Sequence, residues 1–190
     1  DWICHIVDPS YWALDLGAPA AITAEVTGYD PAKDAAYYPK GSKITFEFAG
    51  KGSRGPVKLV WHDGETPIPT PSELEEDKRK VVGIGAVIIG DKGKIMHGSH
   101  GAGSVRIIPE SKMKAFTMPK ETLPRVEKGD HHKDWLDAIR ANRPAGSPFE
   151  YGGALSEIGL LGMIAIRHPG QRPEWDNGAV ASKNAPTANA

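Results

Sequence analysis

The hydrophobic pattern of this chain changes its period in the last third, and this change constrains the fold more than any other feature. Short β-rich or alternating segments, each bounded by Gly, Pro or Asp, occupy residues 21–27, 43–48, 57–61 and 86–89. Apolar residues at helical spacing follow in two later segments, 131–141 and 153–167. Strands followed by helices are typical of an α+β fold. We therefore predict an open-faced, mainly antiparallel β-sheet with helices on one face.

Turns and one long loop link the predicted strands. The sequence Gly90-Asp91-Lys92-Gly93 predicts a hairpin that leads into another strand. Residues 63–80 are rich in Pro and Glu and predict a long surface loop, which is usually functional or an oligomer contact. After a last strand at 172–175, the Ala/Asn/Pro-rich residues 181–190 predict a flexible tail.

The two predicted helices of the last third are expected to cover the sheet. Asp130 is a suitable N-cap for the first of them, and the side expected to be buried carries Trp135, Leu136 and Ile139. The second helix is apolar on most faces, which predicts that it packs against a sheet.

Length and composition indicate one compact domain over residues 1–190, with 39% hydrophobic residues for a core. The net charge is −1 and the basic residues are scattered, so the chain lacks the basic patch that a nucleic-acid partner needs. Apolar stretches such as 87–89 are far shorter than the roughly 20 residues that span a bilayer, so no membrane partner is expected. Cys4 is the single cysteine, which excludes an intrachain disulfide.

The residues that most suggest chemistry are Asp1 and His5. On a helix, a spacing of four puts both side chains on one face, where the carboxylate can orient the imidazole or share a substrate hydroxyl with it. An imidazole can accept a proton from an alcohol near neutral pH. An incidental polar helix face would carry the same pair. Further along, Pro9 predicts that this helix is kinked, or that it restarts with Asp8 as N-cap.

Other histidines could bind a metal or a substrate. His131 and His132 open a predicted helix, but adjacent helical side chains diverge by about 100° and no Cys or Glu stands at a familiar ligand spacing, so no metal site is predicted. Either imidazole could bond a polar substrate, with a capping or surface role as the alternative. His97 and His100 flank a glycine-rich segment that lacks the Gly-x-Gly-x-x-Gly spacing and predicts a turn between strands.

The start of the chain resembles the Asp-x-x-x-His-x-x-Asp segment that opens the C-terminal domain of one oxidoreductase family. This is the glucose-fructose oxidoreductase, inositol dehydrogenase and rhizopine-catabolism (Gfo/Idh/MocA) family, and the bacterial branch matches best. The resemblance covers nearly the whole chain, in matching order and spacing, through the segments 1–14, 56–64, 108–112, 131–140, 151–167 and 175–176.

The resemblance implies a C-terminal substrate-binding and oligomerisation domain whose N-terminal Rossmann domain binds NAD or NADP. It implies that His5 is the general acid/base and that Asp1 orients it or binds a substrate hydroxyl. Trp12, close after His5, and His131 are further candidates for contact with a sugar or polyol substrate. A homodimer or tetramer is expected through the open sheet, on the argument that an uncovered apolar face needs a partner.

The chain departs from the family in lacking the dinucleotide fingerprint and in beginning at Asp1 without a Met. We therefore expect a downstream part of a larger protein that does not turn over alone. Two alternatives remain open: NAD-assisted glycoside cleavage, as in some relatives of the family, and a carbohydrate-binding or scaffold domain that has lost the chemistry. The expected location is the cytoplasm, or the periplasm if an upstream segment carries an export signal.

Overall fold

The computed structural model describes residues 2–76, 79–81 and 83–189, which form helices and short antiparallel strands. The helices are α1 (Ile3–Ala13), α2 (Ser72–Glu76), α3 (Glu110–Ala115), α4 (His131–Arg140) and α5 (Phe149–Arg167). The strands are β1 (Ala21–Thr27), β2 (Gly41–Phe48), β3 (Val57–Gly64), β4 (Gly85–Ile89), β5 (Lys94–Gly98), β6 (Arg106–Ile108), β7 (Trp175–Asp176) and β8 (Ala181–Ser182). The predicted α+β class with antiparallel strands is confirmed, and the strands form three small sheets.

The main sheet, in the order β1-β2-β3, packs one face against α5, and α1 lies against α5 and β4. Alternate residues of β2, such as Ile44 and Phe46, are buried on this face, as the period of a strand requires. The core there includes Ile22 of β1 and Ile158 and Leu161 of α5. The sheet therefore holds α5, and α5 in turn supports α1.

The other face of the main sheet is polar. It carries Thr23 and Glu25 of β1 beside their cross-strand partners Thr45 and Lys43 of β2, and Lys43 Nζ donates to Glu25 at 2.8 Å. The argument that an uncovered apolar face needs a partner therefore does not apply to this sheet. Self-association through it stays a prediction without that support.

A second sheet, in the order β4-β5-β6, has a small core of its own. Leu74, Met96 and Ile108 form its buried centre. The first of these lies on α2, in the predicted loop over 63–80, where the side chain of Glu73 also binds Lys94 at 2.7 Å. The described part of the loop is thus held to this sheet by both apolar and ionic contacts.

Helix α1 runs without interruption through Pro9, so the prediction that the helix restarts at Asp8 is wrong. Instead of capping a helix, the Asp8 carboxylate accepts a hydrogen bond from Tyr151 Oη of α5. Ile6 and Val7 are buried on the inner side of α1. Tertiary packing therefore holds the helix together where Pro9 removes a backbone donor.

Helix α4 begins as predicted, because Asp130 accepts a hydrogen bond from the Lys133 amide at 2.9 Å. The prediction of its buried side is wrong: Trp135, Leu136 and Ile139 are 58%, 45% and 62% exposed. The reason is that α1, not α4, packs against α5 and contributes to the main core. The helical period identified one apolar side of α4 but not whether another element covers that side.

Residues 181–189, where composition predicts a flexible tail, are hydrogen-bonded to the rest of the domain. Ser182 lies in β8, and its amide and carbonyl both bond the side chain of Asn189. Asn184 accepts from the Glu174 amide at 2.8 Å and donates to the Arg172 carbonyl at 3.1 Å. The asparagines that suggested disorder thus supply the bonds that close this segment.

Helix α5 is long and apolar enough to cross a membrane by length and composition alone. In this domain the helix supplies core residues such as Ile158, which is fully buried, and Ala165, which is 1% exposed. Packing on β1 and β2 therefore explains the apolar character of its buried side.

Candidate active site

The candidate site begins at the first turn of α1. The carbonyl of Trp2 accepts hydrogen bonds from the amides of His5 at 3.0 Å and Ile6 at 3.2 Å, which fixes the start of the helix. Ile6 is buried, whereas the imidazole of His5 and the indole of Trp2 are exposed. The packing of one side of α1 therefore presents His5 to solvent on the other.

A second element reaches the same place: the loop between β5 and β6. The amide of Gly98 donates to the Gly103 carbonyl at 2.7 Å and closes this loop. His100 has a φ of 52°, in the left-handed region that side chains other than Gly adopt infrequently. Ser99 Oγ lies 2.9 Å from His100 Nδ1. The loop thus holds the His100 imidazole at one ring nitrogen.

Three aromatic rings meet where α1 and this loop approach each other. The imidazoles of His5 and His100 are stacked, with centroids 4.5 Å apart and planes inclined by 27°. The indole of Trp2 meets both edge-on, at 5.8 Å from His5 and 5.4 Å from His100. We call Trp2, His5 and His100 the imidazole cluster.

The other residues predicted for the site lie elsewhere or outside the described ranges. Asp1 is not among the described residues, so its orientation toward His5 stays a prediction. Trp12 is 62% exposed and lies seven residues beyond His5 on α1, close to the same side of the helix and about 10 Å along it. His131 lies at the start of α4, where its ring is 4.1 Å from that of His132. Within the described residues, no ring contact joins Trp12 or His131 to the imidazole cluster.

His97 and His100, taken together in the sequence as possible metal ligands, have different surroundings. His97 is 2% exposed and its Nδ1 bonds the carbonyl of Gly98 at 2.7 Å, whereas His100 is exposed. Among the residues that the structure describes, no group of three or more His, Cys, Asp or Glu side chains is arranged to hold a metal ion.

A half-buried polar network joins α1 to α5 behind the cluster. The Tyr151 hydroxyl donates to Asp8, and the Tyr151 ring meets Tyr11 edge-on at 5.5 Å. Burial, and then the hydrogen bond to Asp8, raise the pKa of Tyr151 well above its ordinary value of 10.0. Burial also raises the pKa of Tyr11, with a smaller contribution from Asp15. The hydroxyl groups of Tyr11 and Tyr151 are therefore uncharged near neutral pH.

The C-terminal part of the chain supports α5 through Glu157. Its carboxylate accepts from the indole Nε1 of Trp175 at 2.8 Å. Trp175 is anchored in turn, because its amide donates to the Ala20 carbonyl at 2.9 Å, just before β1. The orientation of α5, and with it that of α1, therefore depends on residues from both ends of the sequence.

Two features of the described residues that could suggest a dinucleotide site do not fit one. The glycine-rich loop after β5 leads into strand β6, whereas a phosphate-binding loop of the Rossmann type leads into a helix whose N-terminus faces the phosphates. A cavity of about 400 Å³ lies beside α4, but its charged side chains are paired with one another, as Asp134 is with Arg143 at 2.9 Å. Neither this cavity nor the loop offers a cradle for NAD or NADP.

The imidazole cluster contains two residues that the sequence did not assign to it. The sequence does not point to Trp2, and it suggests His100 only as a possible metal ligand at a glycine-rich turn. The available signal was a histidine in a glycine-rich loop between two strands. That signal does not indicate that the loop lies close to α1, because His5 and His100 are 95 positions apart in the chain.

The fold and the cluster together define an α+β domain that presents two stacked imidazoles and an indole at the junction of a helix and a strand loop. Comparison with protein-family models, with curated proteins and with solved structures gives no match to this chain. The function must therefore be argued from the residues themselves.

Proposed function

We propose that this chain forms the substrate side of an NAD(P)-dependent oxidoreductase that acts on a sugar or polyol, with His5 as the general acid/base. The observation that carries the proposal is the exposed imidazole of His5, stacked on His100 at 4.5 Å at the start of α1. It lies in the segment that resembles the opening of the Gfo/Idh/MocA C-terminal domain. A rigid helix supported by α5 is a suitable mount for a proton-transfer group.

Oxidation of an alcohol to a carbonyl removes one proton from the hydroxyl oxygen and one hydride from the carbon. In the proposed reaction His5 takes the hydroxyl proton, and it returns a proton when the reaction runs toward the alcohol. NAD or NADP would accept the hydride, bound by residues other than those described here. In this proposal Asp1 orients His5 or binds a hydroxyl, and Trp12 and His131 contact the substrate.

The proposal is tested with the complete gene product, NAD⁺ or NADP⁺, and a panel of sugars and cyclitols, by following the nicotinamide absorbance. We expect at least one substrate to give reduced cofactor, and we expect His5→Ala to lower kcat/KM by roughly 100-fold or more. His168→Ala is the control, because it removes an imidazole at the C-terminal end of α5, outside the cluster and outside the proposed substrate contacts. No absorbance change with any substrate, or full activity of His5→Ala, would contradict the proposal.

The same measurements separate the two alternatives. Release of sugar from glycosides without accumulation of reduced cofactor would favour NAD-assisted glycoside cleavage, in which oxidation is transient and no NAD is consumed. Binding of a carbohydrate with neither reaction, and no effect of His5→Ala beyond affinity, would favour a binding or scaffold domain.

A further inference from the structure

We infer that His100 is a second substrate-binding residue, which bonds the hydroxyl on the carbon next to the reacting one. In this arrangement the indole of Trp2 covers the apolar C–H face of the substrate's ring. The inference rests on the proposed function, because it takes His5 as the residue that binds the reacting hydroxyl. It assigns to the site a preference for substrates with hydroxyls on adjacent carbons.

The first support is the relation between the two imidazoles. Their planes are inclined by only 27° and their centroids are 4.5 Å apart, so the rings present their edges nearly side by side. Hydroxyls on adjacent ring carbons are also neighbours on one side of a polyol. Two parallel imidazole edges can therefore each bond one oxygen of such a pair, since every hydroxyl both donates and accepts.

The second support is the way the loop holds His100. Ser99 Oγ lies 2.9 Å from Nδ1, which leaves Nε2 as the ring nitrogen directed away from this bond. In either tautomer Nε2 can bond a hydroxyl, as a donor in one and as an acceptor in the other. The backbone of His100, with its φ of 52°, is closed into the loop by the bond from Gly98 to Gly103. The His100 ring is thus positioned by the loop between β5 and β6, whereas the His5 ring is positioned by α1.

The third support is Trp2, which is 44% exposed and edge-on to both imidazoles. An indole in this position offers an apolar surface beside two polar ring edges. Sugars and cyclitols combine the matching features, because their rings have apolar C–H faces and polar rims. A simple aliphatic alcohol would use only His5 of these three residues.

The test measures coupling between His100 and a single substrate hydroxyl. The complete gene product is titrated by calorimetry, without cofactor, with glucose, myo-inositol and their monodeoxy analogues. For the wild type we expect removal of one particular hydroxyl to weaken binding by about tenfold. For His100→Phe we expect the parent compound and that analogue to bind equally well, because the side chain no longer bonds the hydroxyl.

Two further variants guard against trivial results. His100→Asn is the second test variant, because Asn tolerates a left-handed backbone better than Phe does while its amide remains too short to replace the ring nitrogen. His168→Phe is the control, since His168 is a histidine at the C-terminal end of α5 that belongs neither to the imidazole cluster nor to the proposed substrate contacts, and it should retain the tenfold discrimination. Unfolding midpoints are compared for all variants.

The outcomes separate this inference from the proposed function. If His100→Phe and His100→Asn weaken every parent and analogue by the same factor, or if no compound of the panel binds the wild type, the inference is overturned. If the hydroxyl coupling is found but no compound reduces NAD⁺ or NADP⁺, the inference stands and the proposed oxidoreductase activity fails. If turnover is found without the coupling, the proposed function stands and His100 has no role in recognition.

Discussion

Single polar contacts between distant residues hold the elements of this domain in place. The bond from the Tyr151 hydroxyl to Asp8 joins α5 to α1 one turn beyond His5, and the pair from Glu47 to Arg172 joins β2 to the C-terminal segment. Both involve ionisable groups, so each makes a pH-dependent contribution to the free energy of unfolding.

The variant Tyr151→Phe should lower the free energy of unfolding near neutral pH by about 1–2 kcal/mol, because it leaves the half-buried Asp8 carboxylate without its donor. The pKa of Tyr151 is raised in the folded state, so its contribution is complete below the ordinary value of 10.0 and is lost as pH rises through the folded value. Urea unfolding at about pH 8 and about pH 11 measures this. An equal difference at both pH values would contradict the assignment.

The variant Glu47→Gln should be slightly less stable than the wild type at neutral pH, by at most about 1 kcal/mol. Glu47 accepts from Arg172 Nε at 3.0 Å and from Nη2 at 2.7 Å, and this pairing lowers its pKa below 4.5. The Glu47–Arg172 pair stabilises the folded state at pH values above the ordinary pKa of glutamate, and this contribution is lost as the pH falls through the lowered pKa of Glu47. Thermal unfolding from about pH 7 to about pH 3 should show the two proteins converging. Glu25→Gln, on the same sheet face, is the control.

At the scale of elements, the close approach of α5 to α1 positions the imidazole cluster. A Cβ built on Gly159 of α5 would lie 2.9 Å from Cγ2 of Ile3, and one built on Gly162 would lie 3.0 Å from Cζ of Phe46. These two glycines lie on neighbouring faces of α5 and let the helix approach both the first turn of α1 and β2 closely.

The variant Gly159→Ala should destabilise the domain by about 1–3 kcal/mol, because the added methyl group displaces Ile3. The variant should also lower the affinity for the best carbohydrate ligand. The reason is that Ile3 lies between Trp2 and His5 of the imidazole cluster, so a shift of Ile3 displaces both. Gly153→Ala is the matched control on the same helix, where nothing lies within 4 Å, and it should stabilise by up to about 1 kcal/mol. Equal stability of the two variants would contradict the packing argument.

At the scale of the whole molecule, stability is distributed unevenly. The larger core lies between the main sheet, α1 and α5, whereas the second sheet encloses only a small cluster around Leu74, Met96 and Ile108. Residues 116–126 lie in no helix or strand and are exposed, and α4 follows them with its apolar side in solvent. Regions with few buried contacts open at lower free energy than the core.

Amide hydrogen exchange should therefore be slowest in β1, β2 and α5, intermediate in β4–β6, and fastest in 116–126. We expect several orders of magnitude between the first and the last of these groups. Exchange followed by mass spectrometry on the complete gene product tests the order. Strong protection of α4 and 116–126 would contradict it and would indicate that another surface covers the apolar side of α4.

Much of the fold could be predicted from local patterns. The bounds of β1 agree with the prediction at both ends, and the hairpin after β4 is closed by the bond from Gly90 to Gly93 at 2.9 Å, because alternation and turn residues are local properties. Helix α5 begins at Phe149, before the predicted residue 153. The glycines that obscured its start are tolerated inside the helix.

The site could be predicted only in part. The chemistry of His5 and its place on a helix make it a candidate, but the position of its ring partner His100 depends on how a loop with left-handed residues closes after β5. The apolar side of α4 was identified correctly as a side, yet its exposure depends on which helix reaches the main sheet. Neither the position of His100 beside His5 nor the exposure of α4 can be predicted from residues nearby in the sequence.

The sequence by itself determined the α+β class, the positions of β1 to β5 and the presence of an imidazole on the first helix, because hydrophobic period and turn chemistry act over a few residues. Only the tertiary structure decided that His100 stacks on His5, that Asp8 accepts a hydrogen bond from Tyr151 and that α1, rather than α4, packs against α5 in the main core. These arrangements join residues far apart in the chain. They are set by which apolar surfaces pack together, and a local pattern shows that such a surface exists without showing its partner.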